Sequence, residues 1–241
     1  MPCGRRHWNV SVPDYELLVF DWDGTLVDSV SRIVESVRVA ADACGLQQLD
    51  EAPIRGIIGL GLPEAITALY PESADGVMIE RFRKAYSEHY LALEAEPSAL
   101  FPGVEDGLEA LRQAGYRLAV ATGKTRRGLQ RILTARGWED YFEITRCADE
   151  TASKPDPLML REILDYCSVS PQRALMIGDS SFDLQMARRA GMDAVAVGYG
   201  AQSLECLQVF EPRRAIMNFA ELPDWLLPVG PALTEVGVYG G

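Results

Sequence analysis

Two rhythms of apolar and polar residues run along this chain. Residues 17–20, Leu-Leu-Val-Phe, form a short unbroken apolar run between polar neighbours. That is the pattern of a parallel strand buried on both faces. From Val30 the spacing turns helical: Val30, Ile33, Val34, Val37 and Ala41 share one face, Asp28 or Ser29 is placed to cap the start, and Gly45 to end it. Residues 54–61 are glycine-rich and read as a loop. Pro63 then suits the first turn of a helix carrying Ala65, Ile66 and Leu69. Met78, Phe82, Ala85, Tyr86, His89 and Leu93 predict a further helix over about 75–93, and no strand pattern interrupts residues 29–96.

After Pro97 the two rhythms alternate. Strands are predicted at 116–121, 142–146, 174–177, 193–197 and 215–217. Helices are predicted around Leu108 and Leu111 up to Gly115, around Leu129, Ile132 and Leu133 up to Gly137, at 158–167, and at 182–190 up to Gly191. Strands alternating with helices imply a parallel sheet covered on both faces. The expected fold class is α/β, a parallel-sheet core interrupted after its first strand by an all-helical insert. The core is expected over 14–28 and 97–226, the insert over 29–96, with terminal extensions at 1–13 and 227–241. The Gly- and Pro-rich tail from Pro228 reads as a linker or flexible end.

Charge narrows the function. The chain has 241 residues, 48% of them hydrophobic, with 23 Lys and Arg against 35 Asp and Glu, a formal net charge of -12. That balance argues against wrapping nucleic acid, which needs a positive footprint. A small anionic substrate stays possible, because a metal ion and a few local cations can reverse the field inside one pocket. No apolar run is long enough to span a bilayer. Residues 1–13 hold Arg5, Arg6 and His7 but no hydrophobic block behind them, so a secretory signal is not expected. The five cysteines, Cys3, Cys44, Cys147, Cys167 and Cys206, show no CxxC spacing and read as reduced thiols of a cytoplasmic protein.

Four segments carry candidate chemistry. Asp21-Trp22-Asp23-Gly24-Thr25 follows the first strand directly. Ligands of open α/β sheets bind beyond the carboxyl ends of the strands. Two carboxylates one residue apart can divide nucleophilic attack and proton handling between them, and Gly24 permits the sharp turn that brings the second back. An acidic turn is the plain alternative. Thr122-Gly123-Lys124 follows the 116–121 strand, where a hydroxyl and free N–H groups make an oxyanion cradle; helix capping by Thr122 or Thr125 is the alternative. Ser153-Lys154-Pro155 places an ammonium on a proline-fixed turn. Gly178-Asp179-Ser180-Ser181-Phe182-Asp183 follows the 174–177 strand; Asp179 can supply an oxygen ligand to Mg2+, and Asp183 can hold a water or Lys154.

In order and spacing these four segments resemble the motifs of the haloacid-dehalogenase-like hydrolase superfamily, over about residues 15–225. The insert looks like the helical cap of its phosphoglycolate phosphatase-like branch, with residues 58–63 similar to the glycine-rich loop such caps point at the site. The resemblance implies a Rossmann-like core. It also implies a Mg2+-dependent phosphatase in which Asp21 becomes an aspartyl phosphate and Asp23 is general acid, then base. Thr122, Gly123 and Lys154 would hold the transferred oxygens, and Asp21, Asp179 and the backbone carbonyl of Asp23 the metal.

Asp23 speaks against the dehalogenases, which lack a second aspartate there. A β-phosphoglucomutase-like mutase or a small pyrophosphatase is the alternative, and a non-catalytic binding protein on the same fold a remote one. The expected partner is a small phosphorylated metabolite such as phosphoglycolate, and the expected assembly a monomer or dimer. Arg55, Gly59 and Lys124 are the candidate substrate contacts. Arg126 and Arg127 read as a solvated helix start, His7 and His89 as surface or packing residues, and Trp22 as packing beside the site.

Overall fold

The computed structural model describes residues 14–227. Expectations for 1–13, with Cys3 and His7, and for the tail from Pro228 lie outside the described residues. The first strand, β1 (Leu17–Phe20), is followed by four helices: α1 (Val30–Cys44), α2 (Glu51–Gly56), α3 (Leu62–Leu69) and α4 (Gly76–Leu93). Then come α5 (Val104–Gln113), β2 (Arg117–Thr122), α6 (Arg126–Arg136), β3 (Ile144–Cys147) and α7 (Leu158–Cys167). The chain closes with β4 (Ala174–Gly178), α8 (Ser181–Ala190), β5 (Asp193–Val197), α9 (Leu204–Gln208), β6 (Arg214–Ile216) and α10 (Glu221–Leu226).

The six strands form one parallel sheet in the order β3-β2-β1-β4-β5-β6. Each face of β1 feeds its own core, which is why its sequence is apolar at every position. Leu18 and Phe20 pack with Leu108, Leu129 and Phe219; Leu17 and Val19 pack with Leu160, Ile163 and Met186. The sheet reverses direction of growth at β1, so the crevice for a ligand opens at the carboxyl end of that strand.

The four helices after β1 bury a cluster of their own, including Ile33, Val37, Ile54, Ile66, Phe82 and Tyr90. The two connections between these helices and the sheet run side by side: Val27 bridges Leu100, Asp28 N–H donates to the Ala99 carbonyl (2.9 Å) and Phe101 N–H to that of Leu26 (3.0 Å). His89 bridges α4 to α1, with Nδ1 3.1 Å from Ser36 Oγ.

Three elements depart from the pattern reading. Residues 54–56 are the end of α2 rather than loop, because Pro53 sits in the first turn, where its missing N–H costs nothing. Helices α9 and α10 were not expected. They have five and six residues, too few for a period to show, and α10 forms by burying Leu222 and Leu226 on the sheet side.

Candidate active site

Every chemistry-bearing segment lies at the carboxyl edge of the sheet. Asp21 follows β1, its N–H extending the ladder to the Ile177 carbonyl (2.9 Å). The chain then turns at once, with Gly24 at φ 80° and its N–H on the Val27 carbonyl (2.9 Å). A side chain at Gly24 would overlap the Asp179 carboxylate, so glycine is required for close approach as well as for the turn. Thr122 ends β2, Lys154 lies between β3 and α7, and Asp179 follows β4.

Four charges meet in the buried centre. The Lys154 ammonium is 2.7 Å from Asp21 Oδ1 and 2.7 Å from Asp183 Oδ1, and all three side chains are shielded from solvent. Asp183 Oδ2 accepts from Ser180 N–H (3.1 Å) and Ser180 Oγ (2.6 Å), so both of its oxygens are engaged. Asp179 accepts from Thr25 Oγ1 (3.2 Å) and from the Ala201 N–H (2.6 Å). Asp21 Oδ2 is buried with no partner. Three buried carboxylates against one ammonium leave an excess of negative charge, and the acids register it. Burial, then the neighbouring Asp183 and Asp179 charges, push Asp21 up despite Lys154. Burial, then Asp183, push Asp179 to about 7. Burial works against the charged form of Lys154, but Asp183 and Asp21 outweigh it and raise the ammonium.

Asp23 sits beside this centre in a different setting. Ser29 Oγ donates to its Oδ1 (2.6 Å), and Lys124 Nζ reaches both oxygens (3.0 and 3.2 Å). Lys124 also donates to Tyr90 OH (3.1 Å) on α4, so one ammonium joins the sheet edge to the helical insert. A cavity of about 460 Å3 opens here. Asp21, Asp23, Thr122, Gly123 and Lys124 line one side of it, and Gly59, Leu60, Tyr86 and Tyr90 the other. The insert rests directly on the core: Gly61 N–H donates to Ser153 Oγ (2.8 Å), and a Cβ on Gly123 would come within 2.5 Å of the Leu60 carbonyl.

The structure thus gathers Asp21, Asp23, Thr122, Gly123, Lys124, Lys154, Asp179 and Asp183 at one end of the sheet, with Gly59 opposite. Arg55 is the exception. Its Nη2 and Nε donate to the carbonyls of Gly200 (2.7 Å) and Ala201 (3.0 Å), and it does not line the cavity. Against the expectation that it faces substrate, α2 carries it to the loop after β5. Arg126 is likewise turned away, onto Glu150 and Thr145, whereas Arg127 lines the cavity with Arg83 and Arg131. Thr125, not Thr122, caps α6. Ser29 stands at the N-cap of α1 but gives its hydroxyl to Asp23. Sequence reading missed Ser29 in this capacity, together with Tyr90, Ser180 and the Ala201 amide. The serine-before-helix pattern at Ser29 pointed to capping, and Ser180 stood inside the 178–183 segment without a role of its own. Trp22 packs edge-on against Trp138 and Phe142, wholly buried.

Residues 18–197 match the family model described as haloacid dehalogenase-like hydrolase. The chain belongs to this hydrolase family. It is 31% identical over 227 residues to a phosphoglycolate phosphatase of Psychrobacter arcticus, covering 91% of this chain and 99% of that one. It is 35% identical over 211 residues to the probable phosphatase IndB of Dickeya dadantii (86% and 91% covered). Among solved structures it resembles CbbY from Rhodobacter sphaeroides in complex with phosphate, with a TM-score of 0.74 at 27% identity over 86% of this chain and 96% of that one. It also resembles a predicted phosphoglycolate phosphatase from Haemophilus somnus, with a TM-score of 0.77 at 27% identity (89% and 99% covered).

As a member of this hydrolase family the chain has a cluster that can hold a metal ion. Asp21, Asp179 and Asp183 each bring a carboxylate oxygen to within 4.8 Å of the others. The donors are all oxygen, which suits a hard divalent cation, and three buried carboxylates set against the one Lys154 ammonium carry negative charge that such an ion would offset. No described helix is long and apolar enough to cross a membrane.

Proposed function

We propose that this hydrolase cleaves small phosphate monoesters through an aspartyl phosphate on Asp21, with Mg2+ as cofactor. The phosphatase class follows from the family and from relatives that match nearly the whole chain. One observation carries the mechanism: Asp21 Oδ2 has no hydrogen-bond partner and its residue lines the cavity, while Oδ1 is fixed by Lys154. That leaves one oxygen of the buried carboxylate free to attack.

Asp21 and Asp179 would hold Mg2+ with the Asp23 backbone carbonyl, while Asp183 anchors Lys154 and is itself held by Ser180. When bound, the cation offsets the repulsion between carboxylate and phosphoryl group. Asp21 Oδ2 attacks phosphorus as the bond to the leaving oxygen breaks, and Asp23 delivers the proton to that oxygen. Asp23 then takes a proton from water, which attacks phosphorus, releases inorganic phosphate and regenerates Asp21. The Thr122 hydroxyl, Lys154 and the Gly123 N–H hold the transferred oxygens. Positioning and charge stabilisation supply most of the acceleration in such transfers.

A small acid such as phosphoglycolate is the favoured substrate. The relatives' activity supports it, and so does Lys124. For Asp23 to protonate the leaving oxygen, Lys124 must yield, and a second anionic group on the substrate gives it another partner. The net charge of -12 supports a small substrate rather than nucleic acid, and the buried free thiols of Cys44, Cys147 and Cys167 support a cytoplasmic setting.

The test is Asp21→Asn. Turnover of an aryl phosphate with Mg2+ should fall to background with an unchanged circular dichroism spectrum, and beryllofluoride should bind the parent only. Substantial turnover by folded Asp21→Asn protein rules out the covalent route. Among small phosphate esters, phosphoglycolate should give the highest kcat/KM.

A further inference from the structure

Residues 198–202, between β5 and α9, touch both the carboxylate centre and the helical insert. Ala201 N–H donates to Asp179 Oδ2 (2.6 Å), and Gln202 N–H to the Asp179 carbonyl (3.3 Å). Gln202 Oε1 accepts from Ser181 N–H (3.0 Å), and Tyr199 OH donates to the carbonyl of Thr25 (3.0 Å), whose hydroxyl also bonds Asp179. A side chain at Gly200 would overlap the Asp179 carboxylate, so the loop closes on that acid as tightly as the backbone allows.

From the other side the loop is gripped by α2. Arg55 Nη2 donates to the Gly200 carbonyl (2.7 Å), Arg55 Nε to that of Ala201 (3.0 Å), and Gln202 Nε2 to the carbonyl of Gly56 (3.4 Å). Ala201 is 5% exposed and belongs to the apolar cluster of the insert, although the chain places it in the core.

The peptide between Gly200 and Ala201 is the decisive unit. Its C=O accepts from Arg55 and its N–H donates to Asp179. A peptide is planar, so fixing one end fixes the other. A charged donor on the carbonyl also polarises the N–H toward the carboxylate. Arg55 is therefore one rigid plane away from the acid that the proposed function assigns to the cation.

We propose that Arg55 is a positioning residue for the cation site: it orients the Gly200–Ala201 peptide, and through it Asp179, and so couples seating of the helical insert to cation binding. Without the guanidinium the peptide plane can rotate, and the Asp179 carboxylate must be ordered at the moment the ion binds. By linkage, anything that seats the insert tightens the cation, and the cation favours the seated insert by the same factor.

The inference rests on the reading that Asp179 holds Mg2+. The experiment is calorimetric titration of the metal-free protein with Mg2+ for the parent and four variants. Arg55→Ala should bind Mg2+ about 5- to 150-fold more weakly, the range of ordinary site-to-site coupling. Arg55→Lys should fall between, because an ammonium can meet one carbonyl but lacks the planar fork that spans two. Glu51→Gln removes the exposed partner of Arg55 on its own helix and should bind as the parent does. The Mg2+ concentration for half-maximal turnover should rise in parallel.

Parental or tighter Mg2+ binding by Arg55→Ala overturns the inference. So does a raised KM for substrate with unchanged cation affinity, which would make Arg55 a substrate contact. Asp179→Asn separates the two levels. If it abolishes binding while Arg55→Ala does not weaken it, only the inference falls; if it binds as the parent does, the cation-site reading falls and takes the inference with it.

Discussion

Lys154 is a long, flexible side chain held with 1% exposure between two carboxylates. An ammonium of that kind is stable in a dry interior only because each neighbour returns part of its lost hydration energy. Lys154→Met keeps the length and removes the charge, leaving Asp21 and Asp183 facing each other with no counter-ion. Urea unfolding of the metal-free variant at pH 8 should show a loss of about 3–5 kcal/mol, the usual cost of breaking a buried pair from one side. A loss within the noise of the midpoint would mean that the carboxylates do not depend on Lys154. At this scale the candidate residues were legible because their side chains are chemically unusual where they stand: an Asp pair after an apolar run, a Lys before Pro, an Asp after a strand. Ser29 and Tyr90 were not, since serine before a helix and tyrosine on a helix face have ordinary explanations.

Among the elements, the contact between residues 57–61 and the end of β2 sets how the insert meets the core. A Cβ at Gly123 would lie 2.5 Å from the Leu60 carbonyl and 2.7 Å from that of Gly59, and neither is a flexible tip. Gly123→Ala should therefore lift the loop from the site while leaving the sheet intact. We expect kcat/KM for an aryl phosphate to fall by up to roughly 100-fold, as a misplacement of about 1 Å can do. The melting temperature should change little. Parental kinetics would show that the insert does not need to seat for turnover. The long helices α1 and α4 were legible as elements because their apolar faces repeat over several turns. For α2, α9 and α10 there is too little sequence for a period, and packing decides.

For the whole molecule, the uneven charge of the centre makes stability depend on pH and cation together. Asp179 has its proton held to about 7 in the fold, against an ordinary 3.8, and Asp21 shifts in the same direction. Between those values the folded protein binds more protons than the unfolded chain. The Asp179 contribution is therefore fully present below about pH 4 and is lost as pH rises through about 7, and Asp21 acts in the same direction. Glu143 and Glu150 are shifted the opposite way, lowered chiefly by hydrogen bonds from Arg117 and Arg126. In EDTA, urea midpoints should drop from pH 5 to pH 8. At pH 8 added Mg2+ should restore about 2.7 kcal/mol at a concentration 100 times its Kd. A midpoint that rises with pH in EDTA, or ignores Mg2+, contradicts this picture. Activity should vanish in chelator and return with Mg2+ but not Ca2+, whose looser coordination misplaces the attacking oxygen.

What the sequence determined by itself was local or periodic. The buried strand at 17–20, the alternation that makes the sheet parallel, the glycines that stop helices and the four acid- and lysine-bearing segments are all written in short windows, because burial on both faces, helical repeat and turn geometry are properties of neighbouring residues. What only the tertiary structure decided depends on pairs far apart in the chain: Lys154 between Asp21 and Asp183, Lys124 joining Asp23 to Tyr90, and the Ala201 amide on Asp179. Arg55 shows the difference most directly. Its place before a glycine-rich loop made it a substrate contact on paper, but in the fold its guanidinium donates to the backbone carbonyls of Gly200 and Ala201. A side chain's partner is set by which distant segment arrives within hydrogen-bond reach, and that is a property of the packed sheet and its loops, not of the residues on either side.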